Sequence, residues 1–315
     1  MLNRRHLRAK VLQMLYAYHL SDDKQFSTFQ KALLKSADEV YEMYIWILSL
    51  LDEVSAYTLV DAEDSANKHL PSEDDLNKNI RLNHNTFIES LRLNEEYIEM
   101  KKKYKTAHVF DPEVVRDIFQ MLKKSPEYEF YIKSSDISIQ TEKDIIKYIF
   151  KTIILKTPGI EQVFEEKFIN WPIDKEVLKA MMAKTFKNFN SENPKNNKLA
   201  ELSPNWVDDR EFMVELFKLT LAHSEEYQSM ISKKAKNWEA ERVALVDTLL
   251  MRMAICEMLN FSSIPVKVTI NEYIEISKEF STAKSNLFIN GILDKVLADL
   301  KMSGRIHKFG RGLSQ

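Results

Sequence analysis

An all-α protein is predicted by three features of this chain: few glycines, abundant apolar residues and helical spacing of the apolar positions. Only five glycines occur in 315 residues, against a usual share of about 7%. Sheet turns and glycine-rich phosphate loops need residues that accept a positive φ, so both are disfavoured. With 44% hydrophobic residues, the chain can bury a sizeable core, and its length suggests about two domains.

The first helix is predicted near the start of the chain, where apolar residues recur at the three- and four-residue spacing of a buried stripe. Arg4 and Arg8 border this stripe, whereas Arg5 and Tyr16 lie further round the helix. The stripe consists of Leu7, Val11, Met14, Leu15 and Tyr18.

Further helices are predicted along the middle of the chain. An apolar and aromatic helix is expected around residues 40–59, and a solvated acidic loop or hinge follows at residues 61–79. Helical patterning resumes at residues 80–104 and again at residues 112–124. Asp111 is predicted to be the N-cap of the latter helix because proline occupies the next position, the first of the helix.

From residue 141 onwards the sequence resembles a second copy of itself 67 residues later, so that Trp171 aligns with Trp238. This pairing favours a duplicated helical unit, although any two helical hairpins look alike under such a shift. Residues 188–197, which include Pro194, are the clearest linker.

The C-terminal helices are predicted from caps and apolar stripes. Asp208 is expected to be an N-cap. Thr269 and Glu272 have the spacing of a capping box, which would fix where the next helix begins. One stripe consists of Leu245, Leu249, Met253, Cys256 and Leu259, and the last consists of Phe288, Ile292, Val296 and Leu300.

Charge and cysteine content indicate a cytoplasmic protein with cationic ends. Cys256 is the single cysteine, which excludes internal disulfides and multi-cysteine metal motifs. No apolar run is expected to reach the ~18–20 residues needed to cross a bilayer, and the basic start lacks the apolar core of a signal peptide. Residues 1–10 and 301–315 together carry a charge of +8, which leaves −10 on the other 290 residues.

Two parts of the chain carry a resemblance to a known family. The first is the arginine-rich stretch at residues 4–16, and the second comprises residues 264–272 and 285–295. In this order they closely resemble the bacterial transcription antitermination factor NusB family, over residues 4–21 and roughly 208–300. Ordinary members join these parts by a short connection, whereas nearly 190 residues intervene here.

The resemblance implies a domain organisation. A NusB-like helical bundle is expected at residues 206–303, packed with the first helix. Residues 1–205 would form a helical N-terminal region, in which everything after the first helix is an insertion. Residues 304–315 are expected to be a basic flexible tail.

The resemblance also implies a function. Family members bind boxA, a single-stranded RNA element of ribosomal RNA operons, together with the ribosomal protein NusE. They act on the RNA polymerase elongation complex through other Nus factors. The family's NusE-binding positions fall on Tyr16 and Asp247, and Lys284 stands where the family commonly has an acid. Its RNA-binding positions fall on Arg4, Arg5, Arg8, Lys267, Ser285 and Phe288.

The residues themselves leave simpler interpretations open. Arginines at a helix end are often only solvated, Phe288 suits a core position, and Ser285 suits a helix N-cap. Asn290 and Asp294 are one helical turn apart and are expected to bond to each other. The tail is either disordered or an arm that adds affinity for RNA.

No catalytic constellation is predicted, so the chain is expected not to be an enzyme and to hold neither metal nor cofactor. Two other functions compete with antitermination. One is a helical adaptor whose RNA surface is reduced. The other is the RNA-binding part of an rRNA methyltransferase system, which the scarcity of glycine and the single Cys256 disfavour.

Overall fold

The computed structural model describes residues 1–107, 109–190, 192–235 and 244–308. Within these ranges the chain forms α-helices and no β-strand, so the predicted all-α class is confirmed. Short 3₁₀ helices are formed by Arg81–His84, Ile154–Lys156 and Pro194–Asn196. A short π-helix is formed by Ile149–Ile153. The α-helices are α1 (Arg4–Leu20), α2 (Phe26–Ala66), α3 (Glu73–Leu76), α4 (Thr86–Leu93), α5 (Glu95–Lys103), α6 (Pro112–Lys123), α7 (Pro126–Lys133), α8 (Ile139–Tyr148), α9 (Pro158–Lys167), α10 (Trp171–Asn188), α11 (Trp206–Ala222), α12 (Ser224–Lys234), α13 (Leu245–Asn260), α14 (Val266–Phe280) and α15 (Ser285–Met302).

The chain divides into two compact units. The middle unit consists of Met1 and Asp38–Leu202, and the terminal unit consists of Leu2–Ala37 and Ser203–Gln315. Helix α2 therefore contributes its first part to the terminal unit and the remainder to the middle unit. The predicted domain boundaries, at residues 205/206 and 303/304, stay predictions.

The core of the middle unit is built on α2, whose residues 43–51 are all buried. Among the described helices, α2 alone is long and apolar enough to cross a membrane by length and composition. However, 67% of its most apolar 18-residue window is buried inside the fold, as in the core helix of a soluble protein. The expectation that no apolar run reaches this length is corrected here, because packing within the unit accounts for the apolar stretch.

Two further expectations for the middle unit are corrected by packing. Helix α2 continues to Ala66, so Asp61 lies on a helix and not in an acidic loop. Lys123 of α6 donates to the carboxylate of Asp61 at 2.8 Å. The expected linker at residues 188–197 is not helical over most of its length, but it is bonded into this unit. Asn197 donates to Ser90 of α4 at 2.8 Å. Asp111 is the N-cap of α6, as predicted.

The terminal unit is arranged around α13, which contacts α1, α11, α12, α14 and α15. Ten residues of α13 are buried, including Asp247, Cys256 and Glu257. Helix α1 packs against α11, α13 and α14, and it buries Leu7, Val11 and Leu15 of its predicted stripe. This packing explains why a helix at the start of the chain belongs with helices almost two hundred residues later.

Local cap predictions in the terminal unit were wrong in two places. Helix α11 begins at Trp206 with Asn205 as its N-cap, so Asp208 lies inside the first turn. Helix α14 begins at Val266 after Pro265, so Thr269 and Glu272 form no capping box. Both of these side chains instead bond to other helices. The proposed duplication stays a prediction, because Trp238 lies outside the described residues.

Candidate functional site

A cleft of about 750 Å³ opens at the start of α1 in the terminal unit. Its walls come from the first turns of α1, from α11, from the segment between α13 and α14, and from α14. Arginines line one side, while aromatic and acidic residues line the others. The cleft is lined by Asn3, Arg4, Arg5, Arg8, Asp208, Glu211, Phe212, Glu215, Phe261, Ser263, Ile264, Pro265, Val268 and Glu272.

Arg8 lies at the bottom of this cleft and is almost fully buried, with 2% of its surface exposed. It donates from Nε and Nη2 to the two carboxylate oxygens of Glu257, each at 2.8 Å. Thr269 and Tyr273 donate to the same carboxylate at 2.7 and 3.2 Å. Burial works to lower the pKa of the Arg8 guanidinium, but its bonds to Glu257 outweigh this and raise the pKa. Arg8 therefore joins α1 to α13 and α14.

Arg5 lies one turn earlier, at the open side of the cleft. Its Nε and Nη2 atoms donate to the carboxylate of Glu272 on α14 at 3.0 and 2.9 Å. The hydrogen bond to Glu272 is the main cause that raises the pKa of Arg5. Because 45% of the Arg5 side chain remains exposed, its guanidinium is accessible from solvent.

Arg4 is held by a different helix, α11. Its Nε atom lies 2.9 Å from Asp209, and its guanidinium carbon lies 4.3 Å from the centre of the Phe212 ring. This distance is within the range of a cation–π contact. The side chain of Arg4 is 42% exposed, so one edge of it also faces solvent.

Lys267 stands in the first turn of α14 and is exposed. Its neighbour Val268 lines the cleft. The structure therefore places Lys267 at the same end of the terminal unit as the three arginines. Four of the six residues implied in RNA binding therefore lie at one end of this unit.

Ser285 and Asp247 contact each other instead of lying on separate surfaces. Ser285 donates to one carboxylate oxygen of Asp247 at 2.8 Å, and Ser281 donates to the other. Both Ser285 and Asp247 are buried, with 4% and 5% exposed. The N-cap of α15 is Lys284, so the interpretation of Ser285 as an N-cap is wrong.

The remaining two candidate residues are on helix surfaces. Phe288 is half-buried in the first turn of α15, beside Leu287, which is 77% exposed. Tyr16 is 40% exposed on α1. Asn290 and Asp294 bond to each other at 3.3 Å, as expected.

The candidate RNA residues form two groups at opposite ends of α14. Helices α13 and α14 run antiparallel, because Thr269 meets Glu257 whereas Ser281 meets Asp247. Lys267 and Ser281 are fourteen residues apart on this helix and its end, which corresponds to about 20 Å at 1.5 Å per residue. The arginine cleft and the start of α15 are therefore separate places, which only an extended ligand would reach together.

Several residues that shape the site were not singled out from the sequence. Glu257 is an acid in the apolar helix α13, and this position is the one signal that it needs a buried cationic partner. Lys308 donates to the backbone oxygens of Glu257 and Phe261 at 3.0 and 2.7 Å. Burial lowers the pKa of Lys308 to about 8. The tail beyond it, including Arg311, lies outside the described residues.

Comparison with known proteins gives a consistent result for one part of the chain. The family model described as the NusB family matches residues 176–298. Proteins called transcription antitermination protein NusB are similar over about a third of the chain. The protein from Salinibacter ruber is 47% identical over 104 residues, which are 33% of this chain and 65% of that protein.

Two further relatives carry the same name. The protein from Chloroherpeton thalassium is 44% identical over 107 residues, 34% of this chain and 51% of the relative. The protein from Geobacter sulfurreducens is 42% identical over 106 residues, 34% of this chain and 77% of the relative. The chain thus spans less than two thirds of the length of the first two relatives. No solved structure matches it.

Proposed function

This chain belongs to the NusB family, and we propose on that premise that it is a non-catalytic transcription antitermination factor. In this proposal it works in the cytoplasm and binds boxA-like single-stranded RNA together with NusE. The complex then acts on the RNA polymerase elongation complex through other Nus factors.

The observation that carries the proposal is that Arg4 and Arg5, with 42% and 45% of their side chains exposed, line one cleft. The exposed Lys267 is the chain neighbour of Val268, which also lines this cleft. Proteins hold single-stranded RNA with cations along its backbone and with aromatic or planar groups that stack on its bases. Guanidinium groups serve both purposes, because they are planar and present donors in a fork that fits a phosphate. Phe288, half-buried in the first turn of α15, offers an aromatic surface beyond the far end of α14.

The partner assignment rests on Tyr16 and Asp247. Tyr16 is exposed on α1 and is available for direct contact with NusE. Asp247 is buried against Ser281 and Ser285, so in this proposal it acts on the partner surface by holding the start of α15 in place.

The test is a fluorescence-anisotropy titration of the full chain with a boxA-like RNA and with a scrambled RNA of equal length. We expect the boxA-like RNA to bind more tightly, and NusE from the same organism to increase this preference. The logarithm of the affinity should fall linearly with the logarithm of salt concentration, by about 0.7 for each phosphate contact. Equal binding of both RNAs at every salt concentration would refute sequence-specific recognition.

Matched variants locate the surface. Arg5→Gln and Lys267→Gln should each weaken RNA binding and make the salt dependence shallower by about 0.7, since each removes one phosphate contact. Arg116→Gln is the control: Arg116 is an arginine of the middle unit with a similarly exposed side chain. It should bind RNA as the unmodified protein does.

A second function, that of a helical adaptor without RNA binding, is favoured by one observation. Each of the three arginines faces an acid: Arg4 faces Asp209, Arg5 faces Glu272 and Arg8 faces Glu257. An adaptor would bind NusE with unchanged affinity in the presence or absence of RNA, and the same titrations would show this.

A further inference from the structure

We propose that Glu272 occupies the position at Arg5 that a phosphate group of the RNA would take. By competing with this phosphate, Glu272 lowers the affinity of the cleft for RNA. This inference rests on the proposed function, which it deepens by naming an affinity-determining residue. It follows from how Arg5, Glu272 and Arg8 are arranged.

Glu272 binds Arg5 in the way a phosphate group would. The two carboxylate oxygens accept from the Nε/Nη2 fork of Arg5 at 3.0 and 2.9 Å. Phosphate presents oxygens to arginine in the same bidentate geometry. A phosphate that approaches this edge of Arg5 must therefore displace the carboxylate of Glu272.

The position of Arg5 adds to this competition. Arg5 lies in the first turn of α1, which has no acidic residue of its own. The start of a helix carries a partial positive charge and favours an anion nearby. Glu272 of α14 is one of two anions beside this helix end, and the other is Asp209, which pairs with Arg4.

Glu272 is dispensable for the buried pair beneath it. Arg8 is 3.8 Å from Glu272, but it makes both of its 2.8 Å bonds to Glu257. Glu272 is also partly exposed, at 22%, whereas Glu257 is fully buried. Removing the charge of Glu272 therefore frees Arg5 without leaving Arg8 unpaired.

Asp209 does not play the same part for Arg4. It is 9% exposed as a residue and also accepts a hydrogen bond from Ser203, just before α11. The ring of Phe212 holds the Arg4 guanidinium as well. Asp209 is thus tied to the start of α11, and of the two surface pairs only Arg5–Glu272 can open without disturbing a helix start.

The experiment compares Glu272→Gln with the unmodified full chain, using a boxA-like RNA and a short polyuridine as probes. We expect Glu272→Gln to bind both RNAs about two- to fivefold more tightly at low salt, the equivalent of one exposed ion pair. Its salt dependence should match that of the unmodified chain, because Arg5 contacts the same phosphate in both complexes once Glu272 has been displaced. Circular dichroism should show unchanged helicity.

Two controls separate this inference from a general charge effect. Glu225→Gln removes the same charge from an exposed position of α12 and should leave RNA affinity unchanged. In an Arg5→Gln background, Glu272→Gln should give no gain, since the freed group is absent. An equal gain in either control, or no gain from Glu272→Gln, overturns the role of Glu272.

The polyuridine probe keeps this result distinct from the proposed function. If the boxA-like RNA binds no more tightly than the scrambled RNA, but Glu272→Gln still strengthens binding to both probes, specific recognition is refuted. The role of Glu272 is then retained. Retained preference with no effect of Glu272→Gln would refute only the role of Glu272. A protein that binds neither probe, with or without the substitution, refutes both.

Discussion

Arg8 and Glu257 form a bidentate ion pair in the interior of the terminal unit, with 2% and 0% of their side chains exposed. Thr269 and Tyr273 also donate to Glu257, so one carboxylate joins α1, α13 and α14. The family's RNA-binding position at Arg8 is thus directed inward in this chain. We assign Arg8 to holding α1 in place, and Arg5 to contacting RNA.

Replacing Arg8 with Met should destabilise the protein strongly. The substitution keeps apolar bulk but leaves Glu257 buried without its cation, which typically costs about 3–5 kcal/mol. Urea unfolding of the full chain, followed by circular dichroism, measures this loss. The double substitution Arg8→Met with Glu257→Leu should recover much of it, because no buried charge is then left unpaired.

The matched comparison for this prediction is Arg5→Gln, which removes an exposed ion pair worth about 0–1 kcal/mol. Equal loss of stability in Arg8→Met and Arg5→Gln would show that burial does not distinguish the two arginines. Arg8 would then have to be treated as a surface residue, like Arg5.

Asp247→Asn should destabilise the start of α15. Ser281 and Ser285 both donate to this carboxylate, and an amide of the same shape can replace only part of that acceptor capacity. We expect a loss of about 1–3 kcal/mol in urea unfolding. Faster hydrogen exchange in peptides covering residues 281–290 should accompany it.

Asp294→Asn is the control for Asp247→Asn. Asp294 is an exposed acid on α15 whose bond to Asn290 is long, at 3.3 Å, so its loss should cost less than about 0.5 kcal/mol. If the two variants are equally stable, Asp247 is not a structural anchor. A direct contact with NusE would then be the better account of Asp247.

Acidification should weaken the docking of α1 through His6. Burial is the main cause that lowers the pKa of His6 to about 4, with neighbouring positive charges adding to it. The folded protein therefore binds fewer protons than the unfolded chain between about pH 6.5 and pH 4, so the contribution of His6 to stability is lost as the pH falls through this window. Neutral His6 also accepts a bond from the backbone N–H of Asn3, which protonation of Nδ1 removes.

The measurement is the difference in unfolding free energy between the unmodified chain and His6→Gln across this pH range. Carboxylates titrate in both proteins, so their effects cancel in the difference. The unmodified chain should lose more stability than His6→Gln from pH 6.5 to pH 4. Parallel curves would contradict the prediction.

Helical spacing is the part of this fold that the sequence predicts well, because burial repeats every turn. Leu7, Val11 and Leu15 on α1 are buried, and so are Ile292 and Val296 on α15. A stripe of this kind is visible without knowing which helix it will contact. It therefore supports the fold class and the existence of each helix.

The partners of charged residues could not be predicted, because they lie far away along the chain. Arg5 and Arg8 look equivalent in sequence, yet a glutamate 249 residues away buries one of them. Thr269 and Glu272 fit a local capping box, but their side chains bond to Glu257 and to Arg5 instead. Local spacing cannot distinguish a cap from a tertiary contact when both require the same residue types.

Arg81 supplies a last test, which separates the two units. Its guanidinium donates to the backbone oxygens of Tyr131, Ser134 and Asp136 and to the carboxylate of Glu142, all within the middle unit. Arg81→Met leaves Glu142, which is 4% exposed, without its cation. We expect a loss of several kcal/mol, about 3–5 by analogy with other buried pairs.

Hydrogen exchange should localise this loss to peptides covering residues 126–142, which contain α7 and the turn before α8. RNA affinity at temperatures where Arg81→Met remains folded should equal that of the unmodified chain, because every residue assigned to RNA belongs to the terminal unit. A clear loss of RNA binding in folded Arg81→Met would show that the middle unit contributes to the RNA surface, and the assignment of that surface to the terminal unit alone would have to be abandoned.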